Sequence, residues 1–199
     1  MSVAFAPNGR HVVSGGESKM IHVWNVTTGQ SALPPLRGHS GHIRSVAFSP
    51  DGKLVVSASD HSTVCLWSIE TGLEVTVIRG HTDRIQAITF SPDGHVLASA
   101  SDDKTVRIWK SPTGEEDGDP LPDLQDSILS LCFTLDGKYL AAGSDSTYQV
   151  RLWDMRTRES SSVVISQDSG VTSLAFSSSG LRLFSAGKQR IRSWDPQTG

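Results

Sequence analysis

Histidines, cysteines, acidic runs and Gly-Lys pairs are the features of this 199-residue chain that could carry chemistry. His39 and His42 have a spacing at which two imidazoles can share a metal ion. No cysteine or carboxylate cluster joins them, so neither a metal site nor a cofactor is expected. Gly-Lys pairs occur at 52–53, 137–138 and 187–188. None is followed by Ser or Thr and none opens a helix, as a phosphate-binding loop requires. The run Glu115-Glu116-Asp117-Gly118-Asp119 could hold calcium weakly, but between strands it reads as a solvated loop. No serine sits in a nucleophile elbow. Cys65 and Cys132 lie inside apolar runs, where a thiol acts as a small hydrophobe. The chain is expected to catalyse nothing.

The elements that hold these residues repeat. Tryptophans fall at 24, 67, 109, 153 and 194, and phenylalanines at 5, 48, 90, 133 and 176. The steps are 41–44 residues for Trp and 42–43 for Phe. A glycine follows each of these Phe residues by four positions, at 9, 52, 94, 137 and 180. Within one repeat, Ser45 to Phe48 alternates and runs into Ser49-Pro50-Asp51-Gly52, a hairpin signal because Gly accepts positive φ. Leu54 to Ser59, Thr63 to Trp67 and, after Glu70-Thr71-Gly72, Leu73 to Ile78 predict three further strands. Strands this short indicate an all-β fold, and a period near 42 selects a propeller, in which one four-stranded blade uses about that much chain. Ten residues after each Phe stands a small residue (Gly15, Ala58, Ala100, Gly143 or Ala186), which would let neighbouring sheets approach closely near the axis.

Bulk composition narrows the function. The chain is 37% hydrophobic and 20% charged, ordinary for a globular protein. Net charge is −3, with a pI of about 6.1, so neither a nucleic-acid backbone nor an anionic membrane is the default partner. No apolar stretch approaches the roughly 20 residues of a membrane helix. Met1 to Arg10 does not read as a signal peptide, which implies a cytoplasmic or nuclear protein and an unused glycosylation triplet at Asn25-Val26-Thr27.

Gly38-His39 and Gly80-His81, Trp153-Asp154 and Trp194-Asp195, and Ser-Pro-Asp-Gly at 49–52 and 91–94 stand in register. On these motifs the chain resembles the WD-repeat family over nearly its whole length. The near-copy repeats also resemble the arrays carried by fungal NTPase-coupled sensor proteins. The resemblance implies a single propeller domain over 1–199, with repeats at about 1–29, 36–72, 78–114, 124–158 and 168–199. About five four-stranded blades are expected, the last one incomplete. Such propellers usually have seven blades, so the chain resembles a fragment, a truncated product or an array completed by a second copy. An unfinished sheet edge would favour that self-association.

The family's blades often carry a buried tetrad of His, Ser or Thr, Asp and Trp. Carried onto this sequence, the complete set is His81, Ser99, Asp103 and Trp109. The second repeat keeps His39, Ser57 and Trp67, with His61 in the Asp position. The first has Ser14, Ser18 and Trp24, and the fourth has Ala142 where Ser is expected. Family propellers are rigid platforms that bind proteins or peptides through one face. By register that face carries His42, Arg44, Asp60, Arg84, Gln86 and Asp102, and in later repeats Ser127, Leu129, Gly170 and Thr172. The expected function is a non-catalytic scaffold or sensor platform. Two alternatives are a propeller subunit of a nucleic-acid or ribonucleoprotein assembly, and a fragment of a larger protein with an NTPase module elsewhere.

Overall fold

Short β-branched and aromatic runs, cut by turns that demand positive φ, leave this chain no room for a helix of useful length. In the structure, a computed structural model that describes residues 1–122, 124–161, 165–196 and 198, eighteen strands and no helix form among the described residues. They make five antiparallel sheets in chain order. The first blade holds β1 (Ser2–Phe5), β2 (His11–Gly15), β3 (Met20–Asn25) and β4 (Leu36–Arg37). The second holds β5 (Ile43–Phe48), β6 (Leu54–Ser59), β7 (Thr63–Ser68) and β8 (Glu74–Arg79). The third holds β9 (Ile85–Phe90), β10 (Val96–Ser101) and β11 (Val106–Lys110). The fourth holds β12 (Ile128–Phe133), β13 (Tyr139–Ser144), β14 (Gln149–Asp154) and β15 (Ile165–Ser166). The fifth holds β16 (Ser173–Phe176), β17 (Leu183–Ala186) and β18 (Ile191–Trp194).

The third blade departs from the expected four strands. After β11 an isolated bridge between Trp109 and Glu116 and bonds from Asp117 N to Ile108 O (2.8 Å) and from Leu121 N to Val106 O (2.9 Å) continue the ladder without forming a regular strand. Pro120 and Pro122 follow, and proline has no N–H to donate. The acidic run is more ordered than a solvated loop: Glu116 pairs with Arg107 (2.7 Å) and Asp117 with Arg158 (2.6 Å).

The first-to-second strand turn is built the same way in three blades. Ser49 Oγ donates to Asp51 Oδ1 (2.6 Å) and accepts Leu54 N (2.9 Å), while Gly52 takes φ +72°. Ser91 with Asp93, and Thr134 with Asp136, repeat the arrangement. These hydrogen bonds hold all three carboxyls below their ordinary range.

The core lies between sheets. One face of each blade presents Val13, Ile21 and Val23, or their counterparts; the Phe and Trp face of the next blade covers it. Trp67, Trp109 and Trp153 are buried by this stacking, each worth several kcal/mol of apolar transfer (on the order of 2–4). The first strands line up in turn, β1 on β5, β5 on β9, β9 on β12, and β12 on β16. Among the described residues β16 makes no comparable contact with β1, so the five blades form an open arc. Its two end faces expose Phe5 (69%) and Ile191 (76%). Close approach near the axis depends on the small residues: a Cβ at Gly15 would meet Ile43 Cγ2 of the next blade at 2.6 Å. Cys65 is buried and Cys132 half-buried; burial pushes both thiols up to about 12.

Candidate functional site

Two sets of polar side chains are positioned by this repeat, one inside the blades and one on a rim. In the third blade, β10 and β11 pair Leu97 with Trp109 and Ser99 with Arg107. That register turns Ser99 and Trp109 to one face, and the indole Nε1–H donates to Ser99 Oγ (2.7 Å). Ser99 Oγ lies 2.7 Å from His81 Nε2, and His81 Nδ1 lies 2.8 Å from Asp103 Oδ2. A carboxylate only accepts, so the proton sits on Nδ1, and Nε2 accepts from the serine hydroxyl. Asp103 also accepts from Thr82 N (3.0 Å), Thr105 N (2.9 Å) and Thr105 Oγ1 (2.6 Å). It thereby ties the loop before β9 to the β10–β11 turn. Burial opposes its ionisation, but hydrogen bonds from His81 and Thr105 prevail and hold its carboxyl far below the ordinary range.

The other blades solve the same problem differently. In the second, Trp67 Nε1 donates to Ser57 Oγ (2.9 Å), which meets His39 Nε2 at 2.6 Å. His61 does not reach His39; its Nδ1 bonds Ser40 Oγ at 2.8 Å. With Thr63 Oγ1 at 3.5 Å and no carboxylate, burial pushes His39 down to about 4. In the first blade Trp24 Nε1 bonds Ser14 Oγ (2.9 Å) but is 37% exposed, and Ser18 only accepts Met20 N at 3.4 Å. The fifth blade contains a residue that sequence reasoning missed. Gln167 Oε1 accepts from Ser185 Oγ (2.7 Å), which accepts Trp194 Nε1 (2.7 Å). The missed signal is spacing: Gln167 precedes Ser185 by 18 residues, as His81 precedes Ser99. The fourth blade has Ala142, so Trp153 Nε1 turns to Pro122 O (3.2 Å).

On the rim, backbone bonds from Asp60 N to His42 O and from Asp102 N to Arg84 O (both 2.9 Å) set each turn beside the start of its first strand. Arg44 therefore grips Asp60 with Nε (2.5 Å) and Nη2 (3.1 Å), and His42 Nδ1 stands 3.6 Å from the same carboxylate. Gln86 Nε2 donates to both oxygens of Asp102 (3.1 and 3.0 Å). The hydrogen bond with Asp60 raises Arg44, with Asp102 and Glu17 adding to the effect; the same bond lowers Asp60, with Arg84 contributing. The six residues thus form one patch across two blades. Glu17 and Asp145 extend it; Glu17 shares the seven-residue spacing of Asp60 and Asp102 before their Trp. Ser127 pairs with Asp145 through the equivalent backbone bond (3.0 Å), whereas Gly170 is buried, Leu129 half-buried and Thr172 exposed.

Among the described residues, no group of three or more His, Cys, Asp or Glu is placed to hold a metal ion. Among the described residues no helix is long and apolar enough to cross a membrane. A family model described as the IFT122 first beta-propeller matches residues 1–199. A search of curated proteins finds no match for the chain.

Proposed function

The chain belongs to the family of the IFT122 first beta-propeller, and on that premise we propose that it is a non-catalytic platform for binding other proteins or peptides. The observation that carries this reading is the rim patch. His42, Arg44, Asp60, Arg84, Gln86 and Asp102 are drawn from two blades to one face, with alternating charge and rigid backbone support. Fixed forks of this kind recognise polar groups at little entropic cost, because their geometry is set before binding. The buried Trp109–Ser99–His81–Asp103 chain is then structural, holding the loop that presents Arg84. The test compares the proteins captured by the wild-type chain and by Arg84→Ala/Asp102→Ala, a double variant at exposed or half-exposed sites. The proposal expects loss of specific partners with an unchanged melting temperature. An identical set of captured proteins sinks the rim assignment.

Self-association is a second reading, favoured by the sheet faces at the two ends of the arc. One exposes Val3 (59%) and Phe5 (69%), the other Phe184 (40%) and Ile191 (76%), and these match the two surfaces that stack between neighbouring blades. One copy could seat its first-blade face on the fifth blade of another. Light scattering after size exclusion at several concentrations decides this: mass rising above the monomer's 21.4 kDa supports it, and a constant monomer mass rejects it.

A further inference from the structure

The fourth blade lacks the buried tetrad, and a cavity lies beside the position the tetrad would occupy. Where the third blade has His81 and Ser99, the fourth has Leu124 and Ala142, again 18 residues apart. Replacing both polar partners with apolar groups removes the need for a network. A cavity of about 200 Å³ lies beside them, bounded by the loop into β12 and by β14. Polar groups line it: Asp126, Ser144, Thr147, Gln149 and Arg151. Most are already committed. Asp126 accepts Ser146 N (2.6 Å), Thr147 N (2.7 Å) and Ser127 N (2.8 Å), and Ser144 Oγ bonds Thr147 Oγ1 (2.6 Å).

Arg151 is the charged group among them without a partner in the described residues. It pairs with Ala142 across β13 and β14, as Arg107 pairs with Ser99 and Arg192 with Ser185. Those counterparts hold carboxylates: Arg107 binds Glu116 (2.7 Å), and Arg192 binds Asp168. The bridge that puts Glu116 opposite Trp109 puts Ser160 opposite Trp153, so the fourth blade supplies no acid at that register. Among the described residues, the half-buried Arg151 makes no ion pair. A guanidinium in this setting retains five donors without an anionic acceptor, while the charge of Asp126 is already absorbed by three backbone N–H groups.

We propose that this cavity binds a carboxylate, the Asp or Glu side chain of a partner polypeptide, with Arg151 as its anchor. The anion takes the place that Asp168, on the loop into the first strand, fills against Arg192 in the fifth blade. The site is built by the fourth blade and uses none of the six rim residues of the second and third blades.

The experiment is an NMR titration of the full chain, following the Arg151 Nε–H signal, with acetyl-Gly-Glu-Gly-amide and its Gln analogue as probes at millimolar concentration. The expected result is a saturable shift with the Glu peptide that the Gln peptide does not produce. Arg151→Gln weakens binding about tenfold or more, as expected when a charge-assisted bond becomes a neutral one. Arg107→Gln, whose native guanidinium is already occupied, leaves it unchanged. Equal shifts from both peptides, no saturable shift on Arg151, or equal loss in the two Arg variants would each overturn the proposal. The wild-type titration decides even if Arg151→Gln fails to fold.

Discussion

Replacing Asp103 with alanine isolates what the one complete tetrad contributes. The side chain is 6% exposed and accepts from His81, Thr82 and both donors of Thr105. Thr82 is exposed and can turn to water; His81 Nδ1 can lean on Thr105 Oγ1 at 3.1 Å. That leaves the Thr105 amide unpaired and His81 poorly paired, at about 1–3 kcal/mol for each stranded group. A net loss of about 2–3 kcal/mol follows, or roughly 4–12 °C in Tm for a chain of this size. The loss also depends on pH. Asp103 has a folded pKa below its unfolded value, so its stabilisation is complete above about pH 4 and fades as pH falls below that. Calorimetry of wild type and Asp103→Ala at pH 7 and again near pH 3 measures both effects. The difference should shrink at the lower pH. An unchanged Tm at pH 7 would refute the reasoning, since it would mean these bonds are no better than those to water.

The same serine position should matter unequally among blades. Ser99→Ala strands a buried indole and imidazole and should cost about 1–3 kcal/mol, whereas Ser14→Ala, beside the partly exposed Trp24, should cost under about 0.5 in urea unfolding. Gly80→Ala should destabilise by about 1–3 kcal/mol, because the new Cβ would lie 2.7 Å from Trp109 Cη2; a neutral change would show that the ring can move aside. His39 is buried neutral, with its folded pKa pushed down to about 4, so stability should fall as pH drops from about 6.5 towards 4. His39→Gln should flatten that slope, and an unaltered slope would assign it to other groups.

Much of this architecture was legible because one blade repeats its own constraints. Trp, Phe and Gly in register fix the sheet, and Gly-His followed by Ser, Asp and Trp marks the third blade's tetrad. The departures arise where a residue acts through distance rather than type. Gln167 replaces the tetrad histidine by reaching Ser185, which no Gly-His motif signals. The missing fourth strand of the third blade depends on Pro120 and Pro122, outside the repeated positions. His61 stands in the Asp position, and only geometry reveals that it bonds Ser40 rather than His39. Asp126 reverses the tie made by Asp103, reaching from the entry loop to the turn, and only geometry reveals it.

Hydrogen exchange of the chain with and without a captured partner tests the rim assignment most directly. The account predicts slowed exchange in the segments bearing His42, Arg44 and Asp60, and Arg84, Gln86 and Asp102. Protection confined to the opposite turns, around 49–52 and 91–94, would contradict it.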